Sequence, residues 1–159
     1  MKVNSPTRRT QSERTAATRA QLLAAARKLF AAKGFAEVST QAVVEAAGVT
    51  RGALYHQFQD KADLFAALYE QVEEQLAADV VAAIAAEKPA GTMAAMRLGA
   101  RLFLDHCSAP DVAQIVLIDA PSVLGWERWR EVGIRYGLGI IEGMLAQAVD
   151  EGVVPPQPL

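Results

Sequence analysis

Three adjacent residues, Asp105, His106 and Cys107, carry side chains that commonly bind metal ions or react with oxidants. Consecutive residues of a helix point about 100° apart, so these three side chains cannot converge on one ion. The chain has only two histidines and one cysteine, which also excludes an internal disulfide. We therefore predict no metal site and no thiol sensor.

The remaining reactive side chains do not form a recognisable catalytic arrangement. The sequence has no constellation of Ser or Cys with His and Asp, no paired carboxylates and no glycine-rich phosphate loop. We predict that the chain is not an enzyme, has no catalytic residue and uses no cofactor.

Contact with a nucleic acid is indicated instead around residues 47–50, which read Ala-Gly-Val-Thr. Two short segments flank this tetrapeptide with the spacing of a helix-turn-helix, whose second helix enters the major groove of DNA. Gly48 supplies the tight turn, and Val49 fills the angle between the helices. The second helix would present a set of outward residues: Arg51, Gly52, Tyr55 and His56.

The charge distribution agrees with a polyanionic partner at one end of the chain only. Residues 1–61 contain ten Lys or Arg and four Asp or Glu, whereas residues 62–159 contain six and fourteen. The first part therefore has a net charge of +6 and the second a net charge of -8. We expect the basic part to face DNA and the acidic part to serve another purpose.

The composition predicts an all-α protein of one or two small domains. Of 159 residues, 52% are apolar, but only 6% are aromatic, and alanine, the strongest helix former, is abundant. The longest apolar run without glycine, residues 80–86, is far shorter than the roughly twenty residues of a membrane helix. We expect no membrane association and a cytoplasmic location.

Apolar residues at helical spacing, with capping residues and glycines between them, predict seven helices. Ser39 or Thr40 can cap the second, Thr50 the third and Asp60 the fourth, and Gly34 resembles the C-cap of the first. The predicted helices cover residues 13–33, 40–47, 51–58, 61–86, 92–107, 111–119 and 125–151, before an irregular, proline-rich end.

The segment from Leu22 to Phe65 closely resembles the DNA-binding domain of TetR-family transcriptional regulators. The similarity rests on Phe30, Gly34 and Phe35, on the turn at 47–50, and on residues of the next two helices: Gly52, Leu54, Tyr55, Phe58 and Lys61. It implies an all-α homodimer that binds double-stranded operator DNA and a small effector. The domains would be a disordered basic arm (1–12), a helix-turn-helix domain (13–60) and an effector-binding and dimerisation domain (61–159).

The resemblance also implies roles for individual residues. Thr40, Tyr55 and Lys61 fall where the family contacts phosphates, and Thr50 caps the recognition helix, where its hydroxyl can do the same. Gln41 and Arg51 occupy positions that often touch base edges, which suits their bidentate hydrogen bonding. Gly52 would let the backbone approach the groove. Two neighbours complete the predicted set: His56, a base or phosphate contact or a solvated histidine, and Gln57, which replaces the family's frequent His.

Residues of the second part predict a cavity for an apolar or aromatic effector. Several of them recur at steps of three and four, which places them on facing helical sides. A plain hydrophobic core would give the same pattern. The candidate lining residues are Met96, Phe103, Cys107, Trp126, Trp129, Tyr136, Ile140 and Met144.

The end of the chain departs from the resembled family, whose members usually continue with two further helices that pair across the dimer axis. We expect these last helices to be missing here, so that residues 111–119 and 125–151 become the candidates for dimerisation. Two functions follow: a ligand-responsive regulator, most commonly a repressor, or a helical binding or interaction module that no longer represses because it lacks those helices.

Overall fold

The computed structural model describes residues 10–156, and in that range most of the chain is helical, with no β-strand. The predicted all-α fold class is confirmed. The α-helices are α1 (Gln11–Glu37), α2 (Thr40–Ala47), α3 (Arg51–Gln57), α4 (Lys61–Glu87), α5 (Thr92–Cys107), α6 (Pro110–Val112), α7 (Ala120–Gly133) and α8 (Gly139–Asp150). Two π-helical segments, Ala113–Asp119 and Ile134–Leu138, continue the chain between α6 and α7 and between α7 and α8.

The first helix begins earlier than the predicted residue 13 because Thr10 and Glu13 form a capping box. The Thr10 hydroxyl accepts a hydrogen bond from the Glu13 backbone at 3.2 Å, and the Glu13 carboxylate accepts one from the Thr10 backbone at 2.7 Å. These bonds satisfy donors that a helix start leaves free. The predicted arm is therefore helical from Gln11 onward, and its residues 1–9 lie outside the described range.

The predicted end of α1 at Gly34 is wrong in part. Gly34 has a left-handed φ of 76° and interrupts the helix, but another turn follows it before the C-cap at Val38. Glycine adopts this conformation without steric cost, so the chain bends here rather than stopping. Residues after the bend are held by groups from elsewhere in the molecule.

Local capping residues set the short helices that follow. The hydroxyl of Ser39 accepts from Ala42 at 3.1 Å at the start of α2, and the hydroxyl of Thr50 accepts from Ala53 at 3.2 Å at the start of α3. Between them Gly48 takes a left-handed conformation with φ 66°. This tight turn sets the angle between the two helices, as the sequence predicts.

The chain after α5 is less regular than predicted. The sixth predicted helix is a short α-helical turn joined to a π-helix. The seventh begins earlier than predicted, at Ala120, with a non-helical residue at Gly125, and it is divided by the second π-helical segment. A π-helix is locally wider than an α-helix and is common at functional sites. Periodicity alone does not reveal it.

A common core joins the two parts of the chain. Phe30, Leu54, Phe65 and Tyr69 are among its largest fully buried side chains, and Ile115 of the first π-helical segment packs in the same cluster. No single helix in residues 10–156 is long and apolar enough to cross a membrane; only the bent pair Thr92–Cys107 and Pro110–Asp150, at 79°, reaches that length and composition together.

Two polar contacts hold the helix-turn-helix part against the rest. At the bend of α1, the backbone N–H of Phe35 donates to the buried carboxylate of Asp119 at 2.9 Å. Farther back on α1, Arg27 forms an ion pair with Asp111 at 3.0 Å. Because Asp119 is buried, its bond matters more for stability than the half-exposed ion pair does.

We expect Asp119→Ala to lower the free energy of unfolding by about 1–3 kcal/mol, because the Phe35 N–H would lose its charged acceptor. Asp119→Asn keeps an acceptor oxygen and should lose less. Urea unfolding followed by circular dichroism measures both. Equal stability of the alanine variant and the unaltered protein would contradict this role.

Candidate nucleic-acid interface and ligand cavity

Three predicted DNA-contacting residues converge on one exposed surface of α2 and α3. Tyr55 is 44% exposed, and the Arg51 guanidinium lies 5.5 Å from its ring centre. Hydrogen bonding from Arg51, and then from Thr40, lowers the pKa of Tyr55 below its ordinary value. The three side chains thus form a polar cluster at the surface, and their donors suit phosphate and base-edge acceptors.

The neighbouring positions keep this surface open. Arg51, Gly52 and His56 are exposed, and a Cβ on Gly52 would meet only the Thr50 hydroxyl, at 4.0 Å. Thr50 uses its oxygen as the cap of α3, which leaves the hydroxyl hydrogen free to donate. A nucleic-acid backbone could therefore approach α3 closely at its N-terminal end.

Two other predicted contact residues already have partners within the molecule. Gln41 donates to Glu45 at 2.7 Å, and Gln57 donates to the Thr15 carbonyl at 3.4 Å. Gln57 is partly buried and ties α3 to α1, whereas Gln41 is exposed and remains accessible. Contact of both residues with DNA stays a prediction.

Lys61 has a structural role that sequence reasoning missed. Its ammonium donates to the carbonyls of Phe35 and Val38, both at 2.9 Å, and lies 4.1 Å from the centre of the Phe35 ring. These bonds satisfy carbonyls at the end of α1. One N–H remains for a phosphate, so the predicted contact is compatible with the structure and stays a prediction.

A cavity of about 650 Å³ lies between α4, α5, the π-helical segments, α7 and α8. Its wall is mostly apolar and aromatic, and seven of the eight predicted lining residues contribute to it: Met96, Phe103, Trp126, Trp129, Tyr136, Ile140 and Met144. Their contact with a ligand stays a prediction. This size and character suit a drug-sized apolar molecule.

The eighth predicted residue, Cys107, does not belong to this wall. It is half-buried near the end of α5, and burial, together with the negative charge of Glu73, raises the pKa of its thiol. Cys107 shares the face of α5 that carries residues 96, 99 and 103, but it is the last residue of the helix and lies one turn beyond Phe103, past the end of the wall.

The α4 side of the wall was missed at the sequence level. Tyr69, Glu73, Leu76 and Val80 line the cavity, and their spacing of four, three and four places them on one helical face. That spacing was the available signal. Glu73 breaks the apolar pattern and was therefore assigned to no site.

Hydrogen bonds fix the aromatic part of the wall. The indole N–H of Trp129 donates to the Val116 carbonyl at 3.2 Å, and the Tyr69 hydroxyl donates to the Trp129 carbonyl at 3.2 Å. Trp126 stacks against Trp129 with ring centres 5.0 Å apart and is itself 66% exposed. The pair forms a partly open aromatic edge of the cavity.

Comparison with known proteins identifies the family to which this fold belongs. The profile described as bacterial regulatory proteins, tetR family, matches residues 22–68, and the profile described as tetracyclin repressor-like, C-terminal domain, matches residues 93–159. The helix-turn-helix and the helical second part thus define a two-domain transcriptional regulator fold. The chain belongs to the TetR family.

Individual relatives agree with this assignment. The HTH-type transcriptional regulator CymR of Pseudomonas putida is 37% identical over 122 residues, covering 76% of this chain and 60% of CymR. The HTH-type transcriptional regulator TtgR, also of Pseudomonas putida, is 43% identical over 67 residues, covering 42% of this chain and 31% of TtgR. The chain therefore spans less than two thirds of either relative.

A solved structure matches most of the chain. The crystal structure of a TetR-family transcriptional regulator from Pectobacterium atrosepticum superposes with a TM-score of 0.76 at 32% identity, covering 94% of this chain and 75% of that protein.

We expect Glu73→Gln to raise the free energy of unfolding at pH 7 by roughly 1 kcal/mol, because a neutral amide costs less to bury than a carboxylate. Burial raises the pKa of Glu73 above its ordinary value of 4.5. The free energy of unfolding therefore falls as the pH rises from about 4.5 through the pKa of Glu73 in the folded protein.

The gain in the free energy of unfolding from Glu73→Gln should reach its full size above the pKa of Glu73 in the folded protein and be small near pH 4.5. Urea unfolding at a series of pH values from about 4.5 to 7 measures this gain. Glu74→Gln, which removes the same charge from an exposed position of α4, is the matched control. A less stable Glu73→Gln at pH 7 would show that the carboxylate has a structural partner.

Proposed function

We propose that this protein is a ligand-responsive transcriptional repressor that binds palindromic operator DNA as a homodimer and releases it when a small apolar or aromatic effector enters the cavity. The observation that carries the proposal is the exposed cluster of Thr40, Arg51 and Tyr55 on the helix-turn-helix. The regulators named above support a non-catalytic role. Since operator DNA is its partner, the protein would act in the cytoplasm.

A dimer follows from the small size of the recognition element. The seven residues of α3 can reach only a few base pairs, so one copy would bind weakly. Two copies about 34 to 36 Å apart would read two half-sites and neutralise twice as many phosphates. Exposed apolar residues of the second part, among them Leu117, Ile118 and Ile141, offer surface for pairing.

The elements that line the cavity are also the elements that hold the DNA-contacting part. Helix α4 carries Lys61 at one end and cavity residues farther along, and the first π-helical segment carries both Val116 in the wall and Asp119 at the α1 bend. An effector that binds better to one arrangement of these elements would shift the protein toward it. The two recognition helices would then no longer match the operator spacing.

Selection of binding sites from random double-stranded DNA with the purified chain tests the proposal. We expect a palindrome with two half-sites one helical turn apart. Recovery of a single half-site, or of nothing above background, would favour the helical binding module that does not repress.

On the selected DNA, Arg51→Ala should weaken binding by about tenfold to a hundredfold and relax specificity, because a bidentate base contact is lost. Arg128→Ala, at an exposed position of α7, is the matched control and should leave affinity unchanged. Fluorescence anisotropy measures both. Equal affinities for the two variants would exclude Arg51 from the interface.

The cavity can be tested with the neutral apolar dye N-phenyl-1-naphthylamine, whose emission rises in apolar surroundings. We expect Gly137→Leu to weaken dye binding, because a Cβ at this wall position meets nothing within 4 Å and the side chain would occupy part of the cavity. Gly143→Leu, in open space outside the wall, is the matched control. Equal dye binding by both variants would place the site elsewhere.

A further inference from the structure

The cavity wall contains one buried acidic residue. Glu73 is only 7% exposed, although it lies on the cavity face of α4 between apolar residues. The other charged lining residue, Arg130, is exposed. A carboxylate on such a wall is costly unless something compensates its charge.

No cationic side chain in the described part of the chain pairs with it. Within residues 10–156, Glu73 has no ion pair, and Arg130 does not approach it within 4.0 Å. The neighbouring Tyr69 hydroxyl favours the charged form, but its single hydrogen is donated to the Trp129 carbonyl. The carboxylate therefore has no cationic partner within residues 10–156, and burial raises its pKa more than the Tyr69 hydroxyl lowers it.

The rest of the wall would favour a cation as well. Trp126 and Trp129 form a tilted pair with an interplanar angle of 39°, and Phe103 and Tyr136 line the same cavity. The faces of aromatic rings carry negative potential and attract cations, most strongly where water is excluded. Carboxylate and rings thus present the same electrostatic sign to a ligand.

We propose that the cavity binds an apolar ligand with a single cationic nitrogen group, such as an ammonium, which pairs with Glu73 while the apolar part packs against Trp126 and Trp129. This inference rests on the proposed function, since it names the chemical class of the effector. The Glu73 carboxylate would then lower the stability of the free protein and pair with the cationic group in the complex.

Three probes of the same size and different charge test the proposal: 4-butylbenzylamine, 4-butylbenzyl alcohol and 4-butylbenzoate. Isothermal titration calorimetry at pH 7 should show the amine binding at least about tenfold more tightly than the other two. Glu73→Gln should remove that preference, while Glu74→Gln should retain it. Gly137→Leu should bind all three more weakly.

Several outcomes would overturn the inference. The first is that the alcohol binds as tightly as the amine or more tightly, and the second is that the benzoate binds more tightly and loses that affinity in Arg130→Gln. The others are that the amine keeps its affinity in Glu73→Gln, or that it shows no binding at about 1 mM. Calorimetry is done without DNA, so the charge preference is measured whether or not an operator is recovered. Failure of the repressor proposal would appear separately, as a selection without a palindrome.

Discussion

The structure depends on a cluster of three aromatic rings at the bend of α1. The ring centres of Phe30, Phe35 and Phe65 lie 5.2 to 5.6 Å apart, at angles typical of tilted and edge-on pairs. Phe35 is at the centre of this joint because its backbone N–H binds Asp119 and its carbonyl binds Lys61. A helix interrupted by glycine is thereby held by one residue from each part of the chain.

This joint limits how the two parts can move. Close-packed protein interiors transmit displacement rather than absorb it. Lys61 begins the same α4 that lines the cavity, and Asp119 ends the same π-helical segment that contributes Val116 to the wall. A change at the wall on these elements therefore reaches the joint through continuous backbone. The opposite wall, on α7 and the second π-helical segment, contains Gly133 and Gly137, which have open space around them.

Sequence reasoning succeeded where local chemistry determines the structure. Caps at Ser39, Thr50 and Asp60 and the turn at Gly48 are decided within a few residues, so helices α2 to α5 agree with their predicted ranges to within one residue. The π-helical segments arise from packing between distant residues, which periodicity does not record. The Glu73 site was missed for a related reason, because an acidic residue on a helix is ordinarily solvated and only the tertiary structure buries it.

The residues of the predicted DNA-contacting surface also have roles in local structure. Thr50 caps α3, Gln57 bonds to α1 and Lys61 closes the end of α1, so residues of the predicted interface also hold their own helices in place. A surface built in this way is preorganised and loses little conformational freedom when it binds. Its shape is correspondingly hard for an effector to change. In the proposed mechanism, an effector therefore acts on the placement of the whole helix-turn-helix through the Phe35 joint, not on the form of α3 itself.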